Sequence, residues 1–169
     1  MSKRINYLLL LTTLLFSPLL HAEILPAHVV GVIDGDTVKV KDQNGIKYIV
    51  SLTGVDAPEI MQAHGRIAKE QLCKMICGKD VLLSYNKLNT DGHVLSTMYL
   101  DQANINQVIL EKGMAWQNTI DKKSVSRQHY SKYARAENKA RVQNIGLWQD
   151  GIAMSPWRWR QISQGTVWE

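Results

Sequence analysis

Apolar and β-branched residues run from Ala27 to Ile33, and Thr37-Val38-Lys39-Val40-Lys41 then alternates with the period of two that marks a half-buried strand. Asn44-Gly45 follows, the strongest short hairpin signal. Ile46 to Leu52 predicts a third strand that carries on to Asp56, where Pro58 blocks regular continuation. The period then lengthens. Gly65 to Cys77 predicts a helix with Ala68, Leu72, Met75 and Ile76 on one stripe and Arg66, Lys69 and Lys74 away from it. Val81–Tyr85 and Val94–Leu100 read as two more strands, separated by a polar turn at 87–92. Asn104 caps a short helix with Ile105, Val108 and Ile109 facing in, closed by Gly113. A third helix over 125–144 sets Tyr130, Tyr133, Ala134, Glu137, Ala140 and Arg141 on or beside its inner face. Five short strands interrupted by helices predict a mainly β fold with α (α+β), a small closed barrel. No repeat and no low-complexity segment occurs.

The two ends of the chain read differently. Lys3 and Arg4, the apolar run Ile5–Leu20 and the small-residue site Leu20-His21-Ala22 have the form of an export signal at residues 1–22. Thr12, Thr13, Ser17 and Pro18 interrupt the run, which is short for a membrane span. The expectation is a single exported domain at 23–169, periplasmic or secreted, monomeric and without stable membrane association once the signal is cleaved. At the other end Pro156-Trp157-Arg158-Trp159-Arg160 alternates aromatic and cationic residues within a tail at 156–169. Such a tail serves either as a nucleic-acid stacking strip or as an anchor whose tryptophans dock on the barrel while its arginines snorkel or pair with acids. Docking is favoured, since Phe16 in the signal is the chain's one phenylalanine and the core has few other large anchors.

Charge and cysteines narrow the picture only slightly. Without residues 1–22 the 20 basic residues fall by Lys3 and Arg4 against an unchanged 15 acidic ones, a net charge of +3. That fits an anionic polymer partner without demanding one. Cys73 and Cys77 are the only cysteines. A sole pair in an exported protein suggests a disulfide, whereas four-residue spacing inside regular helix holds the thiols too far apart for relaxed geometry. Gly78 ends that helix near Cys77, so both states stay open.

The chemistry concentrates between Val32 and Glu59. V-I-D-G-D-T-V places Asp34 and Asp36 on one turn, and L-T-G-V-D-A-P-E places Asp56 and Glu59 at the end of a strand. Paired carboxylates on turns are costly to gather unless a cation neutralises them. Oxygen-only ligands favour a hard ion such as Ca²⁺ or Mg²⁺.

These two motifs, with Ala68 and Leu72, Asn106 to Ile109, Gly113-Met114-Ala115, Tyr133-Ala134-Arg135-Ala136-Glu137-Asn138-Lys139-Ala140-Arg141 and Gly146-Leu147-Trp148, resemble the staphylococcal (micrococcal) nuclease family over roughly residues 28–160. The resemblance implies a five-stranded OB-fold barrel with three helices. It also implies Ca²⁺-dependent cleavage of phosphodiesters in single-stranded DNA or RNA. In that scheme Asp36 and Asp56 bind the ion with the backbone carbonyl of Ala57, Glu59 orients or deprotonates the attacking water, and Asp34 shapes the turn.

The cationic half departs from the family. Ser51 stands where an arginine is expected five residues before the second metal aspartate, and His93 stands where the second arginine is expected. Asp91 replaces a tyrosine, and the tyrosines that would cover a bound nucleotide align with Thr119 and Asp121. His93 offers a partial substitute in the clamp, and Lys47 and Arg66 are candidate phosphate contacts from elsewhere. Losing one preorganised donor typically costs about 3–4 kcal/mol, or roughly 10²–10³ in rate. Two readings follow: a nuclease weakened at its phosphate clamp, or a catalytically impaired module of the same fold that binds nucleic acid or protein. Polysaccharide binding draws only on the barrel's general use.

Overall fold

Strands come first and hold the framework: β1 (Glu23–Val32), β2 (Thr37–Asp42) and β3 (Lys47–Leu52) run in succession, followed by the two-residue β4 (Val55–Asp56). Helix α1 (Gly65–Ile76) leads to β5 (Asp80–Leu88), β6 (His93–Leu100) and β7 (Ala103–Asn104); then come α2 (Ile105–Glu111), β8 (Trp116–Gln117), α3 (Arg127–Val142) and α4 (Pro156–Ser163). The computed structural model describes residues 23–88, 93–120, 122–151 and 153–165. The expected export segment at 1–22, the turn residue Asp91 and Asp121 lie outside them.

β1 is the long strand that two partners share. Its first half pairs with β5 and its second half with β2, with a register shift between Val29 and Gly31 where it bends. The hairpin to β3 closes at the Asn-Gly turn, where Asp42 Oδ1 accepts the N–H groups of Asn44 and Ile46. β3 then meets β6 in parallel, Ile49 opposite His93 and Ser51 opposite Leu95. That pairing closes the order β3-β2-β1-β5-β6 into a five-stranded barrel, the OB-like fold expected.

Alternation fills the interior: Val29, Val38, Val40, Val50, Leu83, Val94 and Met98 are all essentially inaccessible to solvent. Leu72 and Ile76 of α1 and Ile109 and Leu110 of α2 plug the barrel, each burial contributing about 1.5–3 kcal/mol. Asn106 fastens α2 to the strands, its Oδ1 accepting from Met98 N–H and its Nδ2 donating to the carbonyls of Thr53 and Ser96.

Some expectations need correction. In α2 the buried set is Ile105, Asn106, Ile109 and Leu110, with Val108 only half-buried. In α3 the inner face is Tyr133, Ala136 and Ala140, and Ala134, off that line, is exposed. Arg141 lies outside the core, stacked over Trp148 and paired with Glu137. The tail forms a fourth helix beyond the three expected, started by Pro156 in its first turn where a missing N–H costs nothing. Trp157 and Trp159 are half-buried in it. Among the described residues no helix is long and apolar enough to cross a membrane.

Cys73 and Cys77 are joined. The helix ends at Ile76, so Cys77 leaves helical geometry at ψ 131° and its side chain is freed to turn back toward Cys73. Closing so short a loop restricts the unfolded chain by about 2 kcal/mol. Cys73→Ser with Cys77→Ser is expected to lower unfolding stability by that amount in urea, with the denaturant slope unchanged.

Candidate functional site

The D-G-D-T turn is wound tightly on itself. Ile33 N–H donates to the Thr37 carbonyl at 2.8 Å, and Asp34 Oδ1 accepts the Asp36 N–H at 3.1 Å. Asp36 then spends both carboxylate oxygens locally: Oδ1 accepts from Thr37 Oγ1 at 2.9 Å, and Oδ2 accepts the Ala57 N–H at 2.6 Å. The second bond ties the first acidic turn to the D-A-P-E segment. Gly35 permits the approach, because a Cβ there would stand 2.6 Å from Ala57 Cβ and 2.8 Å from Ala68 Cβ.

The second half is fixed from two sides. Asp56 sits in β4 against Trp116 of β8 and is 6 % exposed. The Glu59 carbonyl lies where a Cβ on Gly65 would have to go, so α1 starts hard against the acidic loop. Buried Gln62 accepts the Glu59 N–H at 3.2 Å and donates to the Met154 carbonyl at 2.6 Å. One side chain thus links the acidic loop to the chain leading into α4.

That link brings in a residue to which the sequence reading gave no site role. Arg160 of α4 forks onto Asp56, Nη1 donating to Oδ1 at 3.1 Å and Nη2 to Oδ2 at 2.8 Å, while Nη1 also donates to Glu59 Oε1 at 2.8 Å. The tail therefore docks, as the favoured reading had it, and one arginine pairs with acids. Asp36, Ser51, Asp56, Leu95 and Arg160 border one cavity of about 200 Å³. A larger groove of about 850 Å³ between β1, β5 and Tyr99 shares none of these residues and is lined by Asp42, Asp101 and the paired His28 and Asp80.

Electrostatics set Asp36 apart. Burial, reinforced by the charge of Asp34, pushes its carboxyl up to about 8, against the bonds from Ala57 and Thr37 that lower it. Burial also raises Asp56, with Arg160 pulling the other way and Glu59 and Asp34 adding repulsion. The hydrogen bonds that Arg160 donates to Asp56 and Glu59 hold its guanidinium more firmly protonated than usual. A carboxyl raised by folding favours the native state below its unfolded value of 3.8, and that advantage is lost as pH rises to about 8. Metal-free protein is expected to melt at progressively lower temperature from pH 4 to pH 8. Asp36→Asn should flatten that slope, a comparison that thermal scans in chelator would read directly.

The remaining sequence candidates are not gathered at the cavity. His93 opens β6 and is exposed, on the same strand face as Leu95 but outside the cavity lining. Lys47 is exposed opposite Lys41 at the far end of the β2–β3 pair. Arg66 is exposed in the first turn of α1, on a groove with Ile60, Met61 and His64. Thr119 is exposed. Ala57 turns its N–H toward Asp36.

Among the described residues, no group of three or more acidic, histidine or cysteine side chains is arranged to hold an ion. The acidic side chains lining the cavity are two aspartates, with the oxygen-bearing side chains of Ser51, Thr53, Asn118 and Ser124 also on its wall. A half-buried carboxyl with its ionisation opposed, beside the buried Asp56 whose oxygens already pair with a cation, fits a hard divalent ion that completes its shell with carbonyl and water oxygens. Of the four acids in the two motifs, Asp36 and Asp56 line the cavity, Glu59 is tied to it through Arg160, and Asp34 acts through the turn.

The chain is similar to known proteins over most of its length. Residues 49–150 match the family described as staphylococcal nuclease homologue. A micrococcal nuclease of Shigella flexneri is 32% identical over 148 residues, covering 82% of each chain. Protein ParB of Escherichia coli is 32% identical over 149 residues, 82% of this chain and 81% of that one. An uncharacterized endonuclease of Escherichia coli is 34% identical over 146 residues, 85% of this chain and 89% of that one.

Proposed function

The chain belongs to the staphylococcal nuclease family, and on that premise we propose that it hydrolyses phosphodiester bonds of single-stranded DNA or RNA with Ca²⁺ as its ion. The observation that carries the reading is the pair Asp36 and Asp56 on one small cavity, with Glu59 beside them through a shared arginine.

Asp36 and Asp56 would hold the ion, with the Ala57 carbonyl as a backbone ligand. When bound, a divalent ion supplies positive charge to a phosphoryl oxygen and to the charge that builds as the leaving oxygen departs. Thr37 and the Ala57 N–H fix the orientation of the Asp36 carboxylate before any ligand arrives, so no reorganisation is needed at the moment of reaction. Glu59, partly exposed on its loop, takes a proton from the attacking water at a carboxylate oxygen. Export to an oxidising compartment is part of the same reading, supported by the basic start, the apolar run and the joined cysteines.

A second reading has a specific observation in its favour. Arg160 saturates both oxygens of Asp56, and neither Ser51 nor His93 brings a guanidinium, which suits an impaired binding module. Purified protein incubated with single-stranded DNA and RNA, in Ca²⁺ or chelator and beside an Asp36→Ala control, separates the two. Ca²⁺-dependent cleavage lost in the control supports the nuclease. Cleavage that persists in the control is contamination, and none at all favours the module.

A further inference from the structure

Arg160 is more than a tail anchor by position. Its guanidinium borders the cavity that Ser51, the strand position left without a cation, also lines, and it comes from a separate element, 104 residues beyond Asp56. Its side chain stays 41 % exposed while the carboxylate it grips is 8 % exposed, so one edge of the pair faces open solvent at the cavity. The backbone beneath is fixed by Gln62, which holds the Met154 carbonyl, and half-buried Trp159 lines a hollow together with Gln62, His64 and Trp116. The arm is therefore delivered by a docked helix, with the last side-chain bonds left to choose partners.

A divalent ion on Asp56 cannot share both oxygens with the guanidinium, since cation and cation repel and the same lone pairs are claimed twice. Glu59 remains as a partner for Nη1, and the donors released from Asp56 need an anion. A phosphodiester brought to that ion presents one at hydrogen-bonding range, in the planar two-donor geometry that arginine matches and lysine does not. We propose that Arg160 is the phosphate-contacting catalytic residue of this chain, a guanidinium supplied by the C-terminal helix in place of the one missing at Ser51; this rests on the phosphodiesterase reading above.

The test compares Arg160→Ala, Arg160→Gln and Arg160→Lys with the parent, and adds Ser51→Arg in the Arg160→Ala background. Three quantities are read: turnover of single-stranded DNA, affinity for a phosphorothioate-linked oligothymidylate in Ca²⁺, and Ca²⁺ affinity without nucleic acid. Removing the guanidinium is expected to slow turnover roughly 10²–10³-fold and to weaken oligonucleotide binding. Ca²⁺ binding should be unchanged or tighter, because a competitor for Asp56 is gone. Lysine should restore only part of the loss, and Ser51→Arg most of it. An Arg160→Ala protein that melts normally and cleaves as fast as the parent, or faster, would overturn the proposal and leave Arg160 as a plug. If the parent itself shows no turnover, the phosphodiesterase reading fails separately. Oligonucleotide affinity then decides Arg160: a loss on substitution upholds the phosphate contact, and none rejects it.

Discussion

Asparagine in place of Asp36 is expected to slow cleavage of single-stranded DNA by roughly 10³-fold or more while leaving the melting temperature at neutral pH unchanged or raised. The two effects have opposite signs for one reason. The amide would keep the shape of the carboxylate, accept the Ala57 N–H and retain a contact with Thr37. It would also remove a half-buried acid whose ionisation desolvation and Asp34 oppose, so the fold loses a liability. What disappears is the charge on which an ion depends. A residue serving only to pack the turn would show the reverse, a lower melting temperature with activity falling only as far as the folded fraction. Steady-state cleavage and thermal unfolding measured on the same preparations decide between them.

The second large effect is a gain. Ser51→Arg combined with His93→Arg is expected to raise turnover by about 10²-fold over the parent. Ser51 lies between Thr37 of β2 and Leu95 of β6 in the wall of the cavity, so a long side chain there starts at the site. His93 stands two residues before Leu95 on the same face, roughly 7 Å along the strand, a distance an arginine spans. The combined gain falls short of the product of two single gains because Arg160 already serves the same phosphate. Turnover unchanged in a double variant that melts like the parent would mean the cavity differs from an active one by more than two guanidinium groups.

Local chemistry made much of this fold legible. Alternation over Thr37–Lys41, the Asn-Gly hairpin and the stripe Ala68, Leu72 and Ile76 each depend on neighbours in sequence, and each element stands where its pattern put it. The D-G-D and D-A-P-E motifs were visible for the same reason. What stayed hidden depends on distant partners. β4 and β8 are two residues each, too short for any period, and exist because Val55 and Asp56 meet Gln117 and Trp116. Gln62 gives no signal in sequence, yet it joins the acidic loop to the tail. Arg160 was readable only as one of two arginines in an aromatic tail, and its choice of Asp56 and Glu59 follows from how α4 docks. Ala134 was placed on or beside the inner face of α3, whereas that face is set by Tyr133, Ala136 and Ala140, one helical turn apart.

The central claim is that Asp36 and Asp56 together bind a divalent cation that Arg160 gives way to. Calorimetric titration of the purified, chelator-treated protein with Ca²⁺ near pH 7, in buffers of different ionisation enthalpy, tests it most directly. The account predicts one saturable site, proton release into the buffer as Asp36 ionises, and loss of both signals in Asp36→Asn. Absence of uptake with or without oligonucleotide, or uptake that Asp36→Asn leaves intact, would contradict it.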